Sequence, residues 1–239
     1  MSTGRIACLQ HVPFEGPGAF DALLRARGFT VEPTLVPRDG LPTGRFDALL
    51  VMGGPMSVND PDGWIRRERE YIREAVARGT PVLGICLGSQ LLAAAFGGRV
   101  APGPQPEIGI MPVRCTAAAA QDLLFYRMPP AFDVVEWHGE GITAPEDAVV
   151  LAESDRYPVQ AFRIGRAGYG LLFHLELEAD GLERLCTHCP ADLLRSGVTK
   201  AQVLAEHKKA AAEMKQRAEW IIDAFADLIR DGRAHPPPG

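Results

Sequence analysis

The first hundred residues alternate short apolar runs with amphipathic stretches, and this alternation constrains the fold more than any other feature. Ile6 to Leu9, Val31 to Val36, Ala48 to Met52 and Pro81 to Ile85 read as strands. Phe20 to Arg27, Trp64 to Arg78 and Leu87 to Phe96 read as helices, the first two stopped by Gly28 and Gly79. In the second helix Trp64, Ile65, Tyr71, Ile72, Ala75 and Val76 form an apolar stripe at helical spacing. Strands that alternate with helices predict a parallel sheet covered on both faces.

The second half changes character. Ile108 to Cys115, Val134 to Trp137, Ala148 to Leu151, Val159 to Ile164 and Tyr169 to Phe173 read as strands with little helical signal between them. Hairpins are expected there, so the sheet becomes mixed. Thr199 to Arg230 is helical again, with an apolar face that includes Val203, Met214, Ala218, Ile221 and Phe225. That face is expected to pack on the domain; docking of a second subunit or a homodimer is the alternative use. No repeat and no linker interrupts the chain. The expectation is α/β: a single domain over residues 1–195 with a central, mostly parallel (mixed) sheet flanked by helices. Residues 196–239 then supply a C-terminal helix packed on that domain and a disordered tail at Pro236-Pro237-Pro238-Gly239.

Composition narrows the function classes. With 239 residues, 46% of them hydrophobic, the chain can bury one sizeable core. The formal net charge is -5 and Lys and Arg are scattered, which argues against a nucleic-acid partner. No run approaches the roughly 18 apolar residues of a membrane span, and Met1 to Gln10 has no signal-peptide pattern. A cytoplasmic protein is expected. Five cysteines, an odd number, suit reduced thiols better than a disulfide framework.

One of those cysteines sits in a special setting. Gly84-Ile85-Cys86-Leu87-Gly88 follows a predicted strand and opens a predicted helix, which is the context of a nucleophile elbow. The sharp turn strains the central residue. The glycines on either side avoid collision. The helix N-terminus at the sulfur favours thiolate. The same pentapeptide also fits a buried cysteine beside a glycine-rich turn. A cysteine nucleophile needs a base and an orienting group, and His174-Leu175-Glu176 offers both. Alternate strand residues share a face, so Glu176 can fix the tautomer of His174 while Leu175 points into the core. Ordinary polar residues at a strand end would read the same way. Acyl chemistry further needs an oxyanion hole. The N–H of Leu87 is one candidate donor, and Gly54 in Gly53-Gly54-Pro55-Met56-Ser57 is the second, although Gly-Gly-Pro also serves as a plain turn.

Gly-Gly-Pro-Met-Ser-Val, Gly-Ile-Cys-Leu-Gly-Ser-Gln, Trp-His-Gly-Glu and Phe-His-Leu-Glu occur in that order. Together they resemble the class I glutamine amidotransferases, most of all stand-alone proteins similar to the glutaminase domain of GMP synthase. The resemblance spans about residues 5 to 195. It implies a catalytic triad of Cys86, His174 and Glu176, with Gln90 contacting a glutamine substrate. It also implies that groups near Met56, His138 and Gly139 hold the substrate's amino-acid end. Two departures stand out: Leu175 replaces the usual proline of His-Pro-Glu, and Glu140 replaces the usual Asp after Trp-His-Gly.

The expected reaction releases ammonia from glutamine through a γ-glutamyl thioester on Cys86, with no metal and no organic cofactor. No Gly-x-x-x-x-Gly-Lys-Ser/Thr phosphate loop is present, so the synthetase that accepts the ammonia is expected on a separate subunit. A hydrolase of other γ-glutamyl peptides or amines would use the same triad. A redox-sensing relative, or a binding module that keeps the fold, also remains open. Cys186-Thr187-His188-Cys189 groups two thiols and an imidazole. Zinc asks for four ligands and no second cluster is present, so no metal is expected there.

Overall fold

The structure, a computed structural model, describes residues 4–234; the proline-rich tail lies outside the described residues. The elements run β1 (Gly4–Gln10), α1 (Ala19–Ala26), β2 (Phe29–Leu35), α2 (Val36–Asp39), β3 (Ala48–Val51), α3 (Gly63–Ala77), β4 (Val82–Ile85) and α4 (Leu87–Ala95). They continue with β5 (Arg99–Cys115), a 3-10 turn (Ala117–Gln121), β6 (Ala131–Thr143), β7 (Val149–Glu153), β8 (Ala161–Ile164) and β9 (Gly168–Leu171). Three helices close the described chain: α5 (Ala179–His188), α6 (Pro190–Ser196) and α7 (Lys200–Ala234).

Among the described residues the nine strands form one mixed sheet in the order β2-β1-β3-β4-β9-β8-β7-β5-β6. Pairing is parallel from β2 through β9 and antiparallel from β9 through β6. The parallel strands are covered on both faces, which is why they read as unbroken apolar runs. In β1, Ile6 and Cys8 join one apolar cluster while Ala7 and Leu9 join the other. Ala48 and Leu50 of β3 likewise face opposite to Leu49 and Val51. Helices α1, α5 and α7 pack on the first face, and α3 and α4 on the second.

Helix α7 is 35 residues long. Its Met214, Ala218, Ile221, Ile222, Phe225 and Ile229 recur every three or four positions and are buried in the first cluster.

Several boundaries shift from those the sequence suggests. Val36 opens the four-residue α2 rather than ending β2. Strands β5 and β6 extend to 17 and 13 residues as one long hairpin, with a register shift between Pro102 and Glu107. Pro and Gly in Ala101 to Pro106 obscure that strand in the sequence, because such residues ordinarily signal turns. At the other end β9 stops at Leu171, so His174 lies beyond it. His174 instead forms an isolated antiparallel bridge to Val135 of β6, with N–O distances of 2.8 and 3.2 Å.

Candidate active site

Cys86 is the N-cap of α4, at φ 50° and ψ -109°. Among the described residues it alone has positive φ without being glycine, a conformation that costs of order 1–3 kcal/mol and persists only where surroundings impose it. The flanking glycines show what imposes it. A Cβ on Gly84 would lie 2.5 Å from the carbonyl oxygen of Gly88, and one on Gly88 would lie 2.1 Å from that of Val51. Helix α4 is thus pressed against β3 and β4 at backbone contact. That refines the role of the two glycines: Gly84 clears Gly88, and Gly88 clears the neighbouring strand.

The elbow opens on a cavity of about 450 Å³ beyond the carboxyl ends of the parallel strands, the usual place for a ligand in open α/β sheets. Of the residues singled out by sequence, Cys86, Gly54, Met56, Gln90, His138 and Gly139 line it. Leu87 is buried behind the wall. Its side chain packs on Gly54, where an added Cβ would come 3.0 Å from Leu87 Cδ2. The two proposed oxyanion donors therefore sit on adjoining segments. As the first residue of α4, Leu87 has no intrahelical partner for its N–H.

His174 and Glu176 are each about 2% exposed, so they are not the solvated strand-end residues that their position also allowed. Glu176 Oε1 lies 2.6 Å from His174 Nδ1. The imidazole also interacts with Cys86. Burial opposes a charge on His174. The negative charge of Glu176, followed by the interaction with Cys86, outweighs it and holds the imidazole pKa well above its ordinary value. The Leu175 departure is accommodated without proline. Leu175 is buried in the core, the Val135 bridge holds one side of the segment, and Ala19 N–H donates to Glu176 O at 2.9 Å on the other.

Glu140 extends the same pattern. Its Oε1 accepts from Ser57 Oγ at 3.1 Å, and its carbonyl accepts from Gln90 Nε2 at 3.3 Å. The Gly-Gly-Pro-Met-Ser loop, α4 and β6 are thereby tied together around the cavity. Gln90 is a buried cavity residue rather than an exposed helical one.

His138 belongs to a buried polar network. Its Nε2 lies 3.0 Å from Glu136 and 3.5 Å from Glu107, and Gln160 and Ser154 hydrogen-bond Glu107. Burial lowers the His138 pKa, but hydrogen bonds to Glu107 and Glu136 raise it further, to about 9. Ligand atoms of these three residues lie within 4.8 Å of one another, a spacing that a cation could bridge. Of the Cys-Thr-His-Cys segment, Cys186 is buried in the core and His188 stacks on Phe14 at 4.3 Å. Cys189 caps α5 and lines the cavity. The segment ends α5 and leads into α6.

Sequence reasoning missed Glu15, His11 and Asp192. Glu15 and Asp192 line the cavity. His11 Nδ1 lies 3.0 Å from Gly53 O and Nε2 lies 3.0 Å from Glu68. The one available signal was that residues just past β1 must face the same strand ends as Cys86.

Comparison with known proteins bears on the family and the fold. The family model "Glutamine amidotransferase class-I" matches residues 21–184. The glutamine amidotransferase-like protein YfeJ of Salmonella typhimurium is 34% identical over 197 residues, 79% of this chain and 82% of that protein. A glutamine-hydrolyzing GMP synthase subunit of Picrophilus torridus is 32% identical over 155 residues, 63% of this chain and 79% of that one. A γ-glutamyl-L-1-hydroxyisopropylamide hydrolase of Pseudomonas sp. is 26% identical over 191 residues, 77% and 65% of the two chains. Among solved structures, a glutamine amidotransferase from Methylobacillus flagellatus superposes with a TM-score of 0.85 at 28% identity, over 95% of this chain and 96% of that one. The chain belongs to the class I glutamine amidotransferase family.

Proposed function

We propose that the protein hydrolyses the side-chain amide of glutamine through a γ-glutamyl thioester on Cys86. The observation that carries this reading is the strained Cys86 on the cavity wall, coupled to a buried His174 that Glu176 holds at 2.6 Å. The Cys86 sulfur bonds to the amide carbon while N–H groups of Leu87 and Gly54 stabilise the oxyanion. The carbon–nitrogen bond then breaks, and His174 gives its proton to the departing ammonia. Water loses a proton to His174, attacks the thioester and frees glutamate and the thiol. Glu176 keeps His174 oriented and supports its cationic form. Gln90 contacts the substrate, and backbone groups near Met56, His138 and Gly139 hold its amino-acid end.

Ammonia released here would pass to a synthetase on another chain, in keeping with the Picrophilus relative, which is one subunit of a GMP synthase. We infer a reducing, cytoplasmic setting, because the reaction needs Cys86 as a thiol. Among the described residues no helix is long and apolar enough to cross a membrane. The similarity to a γ-glutamyl amide hydrolase favours a second reading, in which the same thioester forms from a larger γ-glutamyl amide. Glutamate release from glutamine and from γ-glutamyl dipeptides, compared side by side, separates the two. Cys86→Ser is expected to fold and to lose nearly all turnover of either; substantial activity in that variant would refute the covalent scheme.

A further inference from the structure

The cavity contains a carboxylate that this mechanism leaves unused. Three carboxylates line the cavity. Glu140 accepts a hydrogen bond from Ser57. Asp192 accepts from Trp137 Nε1 at 3.1 Å and from Arg195. Glu15 is 7% exposed, yet its carboxylate accepts no hydrogen bond from any described residue. Buried carboxylates are ordinarily paired, and this one lines the cavity in which a substrate would lie.

The position of Glu15 says which part of the ligand. A Cβ on Gly53 would lie 2.4 Å from Glu15 Oε2, 3.4 Å from His174 Cε1 and 3.5 Å from Cys86 Cβ. Glu15 therefore borders both the nucleophile and the ring that protonates the leaving group. The loop that carries it is anchored rather than loose. Gln10 Nε2 donates to Glu15 O at 3.3 Å, His11 is tied to Gly53 O, and Ala19 N–H donates to Glu176 O. Gly18, at φ 49°, passes so close to Glu176 that a Cβ there would lie 2.1 Å from its carbonyl oxygen.

We propose, resting on the amide-hydrolysis reading above, that Glu15 accepts a hydrogen bond from the N–H of the scissile γ-amide and so selects nitrogen over oxygen leaving groups. Glu15 transfers no proton; His174 still supplies the one that leaves with ammonia. An ester offers no N–H at that point, and its leaving oxygen would face an acceptor across the cavity. A raised pKa accompanies this placement: burial pushes the Glu15 carboxyl up to about 7, against the pull of a charged His174.

The test compares L-glutamine with L-glutamate γ-methyl ester in the wild type, Glu15→Gln and Glu15→Ala, with Cys86→Ser as the blank. At pH above about 7, where the Glu15 carboxyl is ionised, a hydrogen bond to it corresponds to a factor on the order of 10 to 100. In Glu15→Ala, kcat/KM for glutamine should fall by that factor while the ester changes less than about threefold. Glu15→Gln keeps an acceptor oxygen and should fall between the wild type and Glu15→Ala. Ester turnover reports that each variant is folded and that Cys86 is competent. Equal losses on both substrates would mean that Glu15 only supports the site, and unchanged glutamine turnover would mean that it does nothing to the leaving group. Either result overturns the proposal while leaving the thioester scheme intact. A wild type that cleaves neither substrate above the Cys86→Ser blank would overturn both.

Discussion

Gly88→Ala separates intrinsic helix preference from the packing that shapes the elbow. Gly88 lies in the first turn of α4, where propensity alone would favour alanine by up to about 1 kcal/mol. The structure argues the reverse. The new Cβ would sit 2.1 Å from Val51 O, whereas ordinary contact begins at 3.4 Å, a shortfall of 1.3 Å (3.4 minus 2.1). Neither side can easily yield. Val51 is fully buried and pairs with Gly84 on β4, and Gly84 is itself packed against Gly88. Overpacking of a rigid core costs about 1–3 kcal/mol, and contact with main chain belongs at the upper end. After subtracting the propensity gain, a net loss of about 2 kcal/mol is expected, or ~4–8 °C in Tm for a chain of this size. Gly63→Ala is the control, because a Cβ there meets only the flexible Arg67 guanidinium at 3.3 Å; it should change stability little. Urea and thermal unfolding followed by circular dichroism read both. A Gly88→Ala protein as stable as the wild type, or a Gly63→Ala protein that loses as much, would refute the claim that β3 backbone contact sets the elbow.

Two further outcomes follow from the electrostatics. Glu176→Gln removes the charge that chiefly raises the His174 pKa, so less imidazolium remains to stabilise a Cys86 thiolate. Turnover should fall on the order of 10⁴-fold; a Glu176→Gln protein with turnover close to that of the wild type would contradict the coupling. The His138 network predicts a pH-dependent stability. Its folded pKa is raised from 6.5 to about 9. The stabilisation is therefore complete below about pH 6.5 and lost as pH rises through about 9. The urea midpoint should decline across that window in the wild type, and less steeply in His138→Gln; equal slopes would show that His138 is not the titrating group.

The alternation of strand and helix in the first half was readable because two-sided burial makes each parallel strand a continuous apolar run, as in Ala48–Val51. The elbow was readable for a local reason as well: the glycine spacing around Cys86 records backbone contacts within one turn and to the next strand. His174 and Glu176 stood out through their spacing of two, although the geometry that aligns them is a bridge to Val135 and not an extension of β9.

Other features had no local signature. Strand order placed β9 beside β4, bringing a segment some ninety residues downstream against Cys86. The same ordering set Glu15 against Gly53 and His174, and gathered Glu107, Glu136, His138 and Gln160 from three separate segments into one buried network. Sequence by itself determined which residues could carry the chemistry and the backbone turn that presents the thiol, because periodicity and steric exclusion act between near neighbours. Tertiary structure alone decided which of those residues share the cavity and which carboxylate is left without a partner there, because burial and long-range pairing depend on how the whole sheet is assembled.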